Sequence, residues 1–222
     1  MLTPRKRITK KQLKEDKLIT YSVKAKDWIE ENQKFVLGGL LAIVILIGAF
    51  FLISSSRKKA AAASSLELAT AMQVYESRDY TNAISLFTDI VNSYKSTKSG
   101  KIARFYLAQS LYKTGEYTAA QEHFRKFASS FNQDDFIKRS ALMGEAACLE
   151  QQDQFAEAAV KFERIATKYP EAPRAAQFYL RAARCYDLAG NSEKADMLYQ
   201  KIIDDYPDSA EKNDAVLYGA LD

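Results

Sequence analysis

The chain has 222 residues, 47% of them hydrophobic, with 32 Lys/Arg against 28 Asp/Glu and a net charge of +4, which allows one ordinary domain plus an additional segment. The charge is uneven: residues 1–34 carry ten Lys/Arg and five Asp/Glu, residues 57–59 add three cations, and everything from Ala60 onward is mildly acidic at net −4. An acidic main body argues against nucleic-acid binding, whose dominant affinity term needs a basic surface.

The basic head, residues 1–34, is poor in large apolar side chains. Its first dozen residues read as an irregular stretch attracted to anionic lipid at about 1 kcal/mol per cation, and 18–33 as a short helix with Ile19, Val23 and Ile29 toward one side. Residues 35–53, FVLGGLLAIVILIGAFFLI, are nineteen residues without a charge. At about 1.5 Å per helical residue they span the ~30 Å hydrocarbon core. A helix buried in a soluble core would show a polar stripe, and this one shows none. A cleaved signal peptide fits less well than an uncleaved anchor. The run is longer than such regions, lies behind 34 residues, and meets Arg57, Lys58 and Lys59 before any Ala-rich stretch. Ten cations before it against three after it predict a cytoplasmic N-terminus and a main body outside, in the periplasm of a bacterium with two membranes. Tyr21 and Trp28 lie where aromatic rings settle at headgroups. Residues 54–65, SSSRKKAAAASS, form a juxtamembrane linker whose alanines favour carrying the helix onward.

Residues 66–222 hold a ladder that recurs at intervals of 37, 38 and 37. The copies read Tyr80, Ala83, Phe87, Ile90, Tyr94; then Tyr117, Ala120, Phe124, Phe127, Phe131; then Phe155, Ala158, Phe162, Ile165, Tyr169. A fourth reads Ala195, Tyr199, Ile202, Tyr206, with Ser192 in place of the opening aromatic. Such a period marks a helical solenoid, whose repeats bury their apolar faces only by stacking. First helices are expected over 66–77, 100–114, 136–151 and 173–188, and second helices over 80–94, 118–131, 155–169 and 192–206. Gly115 and Gly190 stand where a left-handed residue stops a first helix. Thr118 and Asn191-Ser192 suit helix starts, and Tyr169-Pro170 and Tyr206-Pro207 are stop signals. Ala71, Ala108, Ala146 and Ala183 occupy one position of the first helix, and Ala83, Ala120, Ala158 and Ala195 one of the second. These small residues let paired helices approach closely, while Phe87, Phe124, Phe162 and Tyr199 fill the space between repeats. Residues 214–221 read as one more first helix, expected to cover the last repeat's apolar face.

Small residue, aromatic, Ala, Phe and then Pro at these offsets resemble the tetratricopeptide repeat (TPR) over about residues 66–222. The chain departs from that pattern by three or four extra residues per repeat, and Glu67, Arg104, Leu142 and Tyr179 stand at the leading Trp position. The longer period and the Tyr-Pro turns resemble repeats of periplasmic proteins such as the Tol-Pal system's cell-division coordinator. The layout of basic head, anchor and repeats resembles the ancillary subunit of the bacterial Sec translocon. The fold class so implied is all-α: one transmembrane helix, then an α-solenoid of four TPR-like helix pairs with a C-terminal capping helix. The resemblance implies a concave groove lined, on successive first helices, by Phe105, Gln109 and Tyr112; by Met143, Ala147 and Glu150; and by Leu180, Arg184 and Asp187, with Tyr106 and Arg181 at its border. Exposure is expected above all for Tyr112, Arg184 and Asp187, whereas Phe105, Met143 and Leu180 are expected to pack between repeats.

Nothing assembles into a catalytic site. His123 is the single histidine, no two His stand at metal-ligand spacing, and no Gly-rich phosphate loop occurs. Cys148 and Cys185 occupy equivalent positions of adjacent repeats. Neighbouring helices about 8–10 Å apart do not suit a disulfide, so both are expected to be buried free thiols. No cofactor or metal is expected. The expected function is a non-enzymatic scaffold binding other proteins or peptides of the envelope, including translocon-associated proteins or periplasmic chaperones. The alternative is the same fold facing the cytoplasm, as an adaptor in a signalling or cell-division complex.

Overall fold

The computed structural model describes residues 10–130, 135–171 and 174–219. The first nine residues of the basic head, the closing Phe131, Pro173 at an expected helix start, and Ala220 and Leu221 of the expected last helix lie outside the described residues. Among those described, the chain forms ten helices and no strand, in two compact units, Met1–Arg57 and Lys58–Asp222.

In the first unit, α1 (Lys10–Glu31) begins eight residues earlier than the expected 18–33, because Lys, Gln, Leu and Glu over 10–17 are good helix formers. It is followed by α2 (Gln33–Glu76). Residues 35–53 within α2 expose Leu41, Ile45, Phe50 and their neighbours all round the helix, and α2 is the one helix among the described residues long and apolar enough to cross a membrane. Residues 54–65 are helical throughout, so the expected first helix at 66–77 is the last part of α2 and not a separate element. Four consecutive alanines, Ala60 to Ala63, outweigh the flanking serines.

The second unit pairs the end of α2 with α3 (Tyr80–Ser93) through Leu68, Ala71 and Tyr75, α4 (Lys98–Lys113) with α5 (Tyr117–Ser130), α6 (Asp135–Gln151) with α7 (Phe155–Lys168), and α8 (Ala175–Leu188) with α9 (Ser192–Asp205); α10 (Glu211–Tyr218) packs on α8 and α9. All eight alanines of the two small-residue positions are completely buried. The loss of side-chain bulk there lets each pair of helices close. Asn191 caps α9 as expected, its side chain accepting from Lys194 N–H at 3.3 Å. Thr118 does not cap: α5 begins at Tyr117, and the Thr118 hydroxyl instead bonds Gln152 Oε1 at the end of α6, at 3.0 Å.

The recurring aromatic of each second helix meets one fixed position of the next first helix: residue 106, 144, 181 or 218. Phe87 stacks on Tyr106 with centroids 5.8 Å apart. Phe124 lies against Gly144, where an added Cβ would sit 2.6 Å from the ring. The Arg181 guanidinium lies 4.3 Å from the Phe162 centroid, and Tyr199 stacks on Tyr218 at 6.1 Å. The partner changes chemistry at every junction while the ring stays in place.

The turn inside each pair is equally periodic. Gly115 and Gly190 have φ of 87° and 77°, and the equivalent Arg78 and Asp153 have φ of 65° and 57°. In three of the four turns the next N–H reaches back five residues, as in Glu116 to Leu111, Gln154 to Leu149 and Asn191 to Tyr186, closing the helix in a Schellman-type end. That hydrogen-bond geometry demands the left-handed residue whatever its side chain. A left-handed non-glycine residue costs about 1–2 kcal/mol, part of which glycine returns as lost chain entropy, about 0.5–1 kcal/mol. Arg78→Gly and Asp153→Gly should therefore each stabilise the fold, by about 0.5 kcal/mol net, whereas Gly115→Ala and Gly190→Ala should destabilise it by about 1 kcal/mol. Urea unfolding followed by circular dichroism checks the sign; effects of the same sign at all four positions would contradict this account.

Candidate functional site

Helical spacing of four and three residues puts one stripe of each first helix on a common side: Leu68, Met72 and Tyr75 on α2, Phe105, Gln109 and Tyr112 on α4, and Met143 and Ala147 on α6. Together with Phe124, Arg174 and Arg181 these line a groove of about 820 Å³. Seven of the eleven residues named from the sequence lie here: Phe105, Tyr106, Gln109, Tyr112, Met143, Ala147 and Arg181. Glu150, Leu180 and Arg184 line a neighbouring depression of about 480 Å³ with Glu211 and Asp214, sharing Arg181 with the groove. Asp187 lines neither; its Oδ2 accepts from the Tyr199 hydroxyl at 2.6 Å, tying α8 to α9.

These residues differ in what they offer a ligand. Phe105 is buried, edge-on to Phe124 and tilted against Phe127, so it forms the groove's floor from the core side. Leu180 is also buried, whereas Met143, Gln109 and Tyr112 are half-buried and Arg184 is exposed. Gln109 is held by the Tyr75 hydroxyl, which donates to Oε1 at 2.9 Å. Tyr112 stands edge-to-face with Tyr117 at 5.4 Å, and burial raises its phenol pKa, so it presents an O–H donor at neutral pH. Arg181 pairs with Glu150 while capping Phe162, so a groove residue doubles as a junction residue.

Met72 and Tyr75 extend the set expected from the sequence, and the register carried back 37 residues from Gln109 and Tyr112 lands on them. Phe136, exposed in the first turn of α6, lies one heptad before Met143 on the same stripe and also lines the groove. Its signal in the sequence is the helical period, traced from the start of the helix rather than from its middle.

The reactive groups outside the groove are inert by environment. Cys148 and Cys185 are buried free thiols, and burial pushes both up to about 12, leaving no thiolate nucleophile at neutral pH. His123 is half-buried on α5; burial, then the nearby Arg104 cation, lowers its pKa, so the imidazole is neutral at pH 7. No cluster of three His, Cys, Asp or Glu suited to a metal occurs among the described residues.

Gly144 sets the groove's depth at its centre, since only a missing side chain admits the Phe124 ring. Gly144→Ala should destabilise the protein by about 1–3 kcal/mol through overpacking, and Phe124→Leu in the same chain should recover part of that loss. Urea denaturation of the two single variants and the double variant tests it; an additive double variant would show that the ring is not what the methyl meets.

The family described as a tetratricopeptide repeat-like domain matches residues 26–217. No curated protein matches the chain. Among solved structures, the chain is similar to the nearly identical TPR-like repeats of a protein from Podosopora anserina described as a kinesin light chain. A form of that protein with a single substitution matches at 14% identity and a TM-score of 0.54, over 64% of this chain and 74% of that one. The form without the substitution matches at 16% identity and a TM-score of 0.52, over 63% and 72%. At these identities the likeness is one of fold.

Proposed function

The chain belongs to the tetratricopeptide repeat-like family, and on that premise we propose that it is a membrane-anchored scaffold whose repeat unit holds a segment of a partner protein. The observation that carries this reading is the groove of about 820 Å³, walled by apolar and aromatic side chains of three successive first helices. Half-buried Tyr and Met side chains give a ligand large contact area at small entropic cost, and Gln109 and Arg181 supply the few polar contacts that fix register. Solenoids present such surfaces without needing to move, and the role here is binding rather than catalysis.

Anchoring is supported by the nineteen uncharged residues 35–53 within a helix that exposes its apolar side chains all round. Water would penalise each exposed apolar side chain by about 1.5–3 kcal/mol relative to burial, and hydrocarbon removes that penalty. The excess of cations before the helix supports a cytoplasmic head and a periplasmic repeat unit in a bacterial inner membrane. The partners are then envelope proteins, among them proteins leaving the Sec translocon or the chaperones that receive them.

Photo-crosslinkers placed at Gln109 and Met143 in cells should capture envelope proteins, whereas one at exposed Asp89 on a second helix should not. Capture should fall about tenfold in Tyr75→Ala/Tyr112→Ala, the loss of two aromatic anchors. Protease added to spheroplasts should digest the repeats. Repeats left intact would reverse the orientation and make this a cytoplasmic adaptor, and equal capture at all three positions would remove the groove from the account.

A further inference from the structure

α5, α6 and α7 enclose a separate depression of about 370 Å³. Three helical stripes build it. α5 supplies Arg125, with Ala128 and Ser129 one turn on; α6 supplies Lys138, Leu142 and Glu145; α7 supplies Lys161, Arg164, Ile165 and Lys168. Separations of three, four and seven residues put each set on one face of its helix. Five cations therefore ring an apolar floor of Ala128, Leu142 and Ile165, although the chain from Ala60 onward is net −4.

The repeats act as controls for one another. In register, Lys138 corresponds to Gly100 and Ala175, Lys168 to Ser93, Ser130 and Asp205, and Arg125 to Thr88, Glu163 and Gln200. Those repeats stack by the same ladder, so the fold does not require these cations. Glu145, at the position of Leu107 and Ala182, is buried, and its Oε1 accepts from Lys161 Nζ at 2.8 Å. Glu145 is the one carboxylate lining the depression among the described residues; with Lys161 paired to it and Lys138 engaged in an interaction of its own, Arg125, Arg164 and Lys168 are the cations left at the rim. Bringing like charges together is unfavourable unless an anion joins them.

We infer that this depression is a second docking site, for an acidic segment of a partner protein that carries an apolar side chain between its carboxylates. The floor takes the apolar side chain. Arg125 and Arg164 at the rim present planar forks that match carboxylates two bonds at a time. The deep, buried Glu145 repels a compact dianion seated on the floor, which favours carboxylates spread around the rim over free phosphate. The site rests on the scaffold reading only in that its ligand is a protein segment. Its stripes are distinct from those of the groove, so the two can fail separately.

The test uses the full-length protein in detergent and a dye-labelled peptide of Glu-Glu-Leu repeats, followed by fluorescence anisotropy. A Gln-Gln-Leu counterpart and inorganic phosphate serve as competitors. Saturable binding is expected, weakened about tenfold by Arg164→Glu/Lys168→Glu and similarly by Arg125→Glu on another helix. It should also weaken as salt shortens the Debye length from about 10 Å to about 3 Å, and be unmoved by Tyr112→Ala. All three cations are exposed, and circular dichroism confirms that the variants fold. Absence of saturable binding would overturn the inference. So would equal binding by the charge-reversed variants, which would assign the peptide to the basic head; equal competition by the Gln-Gln-Leu peptide; or displacement by phosphate at lower concentration than by unlabelled peptide, which would make this a small-anion site.

Discussion

One contact organises the repeat unit: an aromatic ring on each second helix, pressed against a single position of the first helix that follows. Phe87, Phe124, Phe162 and Tyr199 are all buried, and each closes the junction to the next repeat. An isolated helix pair would leave that ring in water, which is why such a fold exists only as a stack. The alanines solve the complementary problem. With no side-chain volume at the crossing, the two helices of a pair come close enough for the ring to bridge outward instead of filling the space within.

The junction also decides what the groove is made of. At three of the four junctions the partner position lies beside the groove stripe, so the choice made for packing is felt in the groove. Tyr106 adds an aromatic wall, Gly144 deepens the groove over Phe124, and Arg181 places a cation at its edge while capping Phe162. The chemistry of the groove wall is a by-product of stacking chemistry. A scaffold built this way holds its contact residues on rigid elements, with little ordering cost when a partner arrives.

Much of this was legible in residue spacing. The ladder located every second helix to within a residue or two, because aromatic and alanine positions recur with a mechanism behind them. The turn residues were only half legible. Gly115 and Gly190 announce a left-handed conformation, but Arg78 and Asp153 adopt it too, at Asp153 under a hydrogen-bond demand that residue type does not display. The continuation of α2 through residues 54–65 was legible in Ala60 to Ala63, good helix formers, but nothing in composition marks where along that helix one role ends and another begins. Within the site, Tyr75 was recoverable by register. The split of the expected groove residues between two depressions was not, since it depends on how Arg181 and Glu150 close across α6 and α8. The basic depression was hidden for the simplest reason, that its cations are scattered over three helices and only packing collects them.

If the aromatic junctions hold the repeats together, a double-mutant cycle at Phe87 and Tyr106 must register it. Phe87→Leu and Tyr106→Leu keep an apolar side chain at each position, so neither opens a large cavity. Unfolding free energies of the parent, both singles and the double should yield a favourable coupling of about 0.5–1.5 kcal/mol, the range for stacked aromatic pairs. A coupling indistinguishable from zero would mean that the rings merely occupy volume, and that the stack is held by something other than the contact that recurs along it.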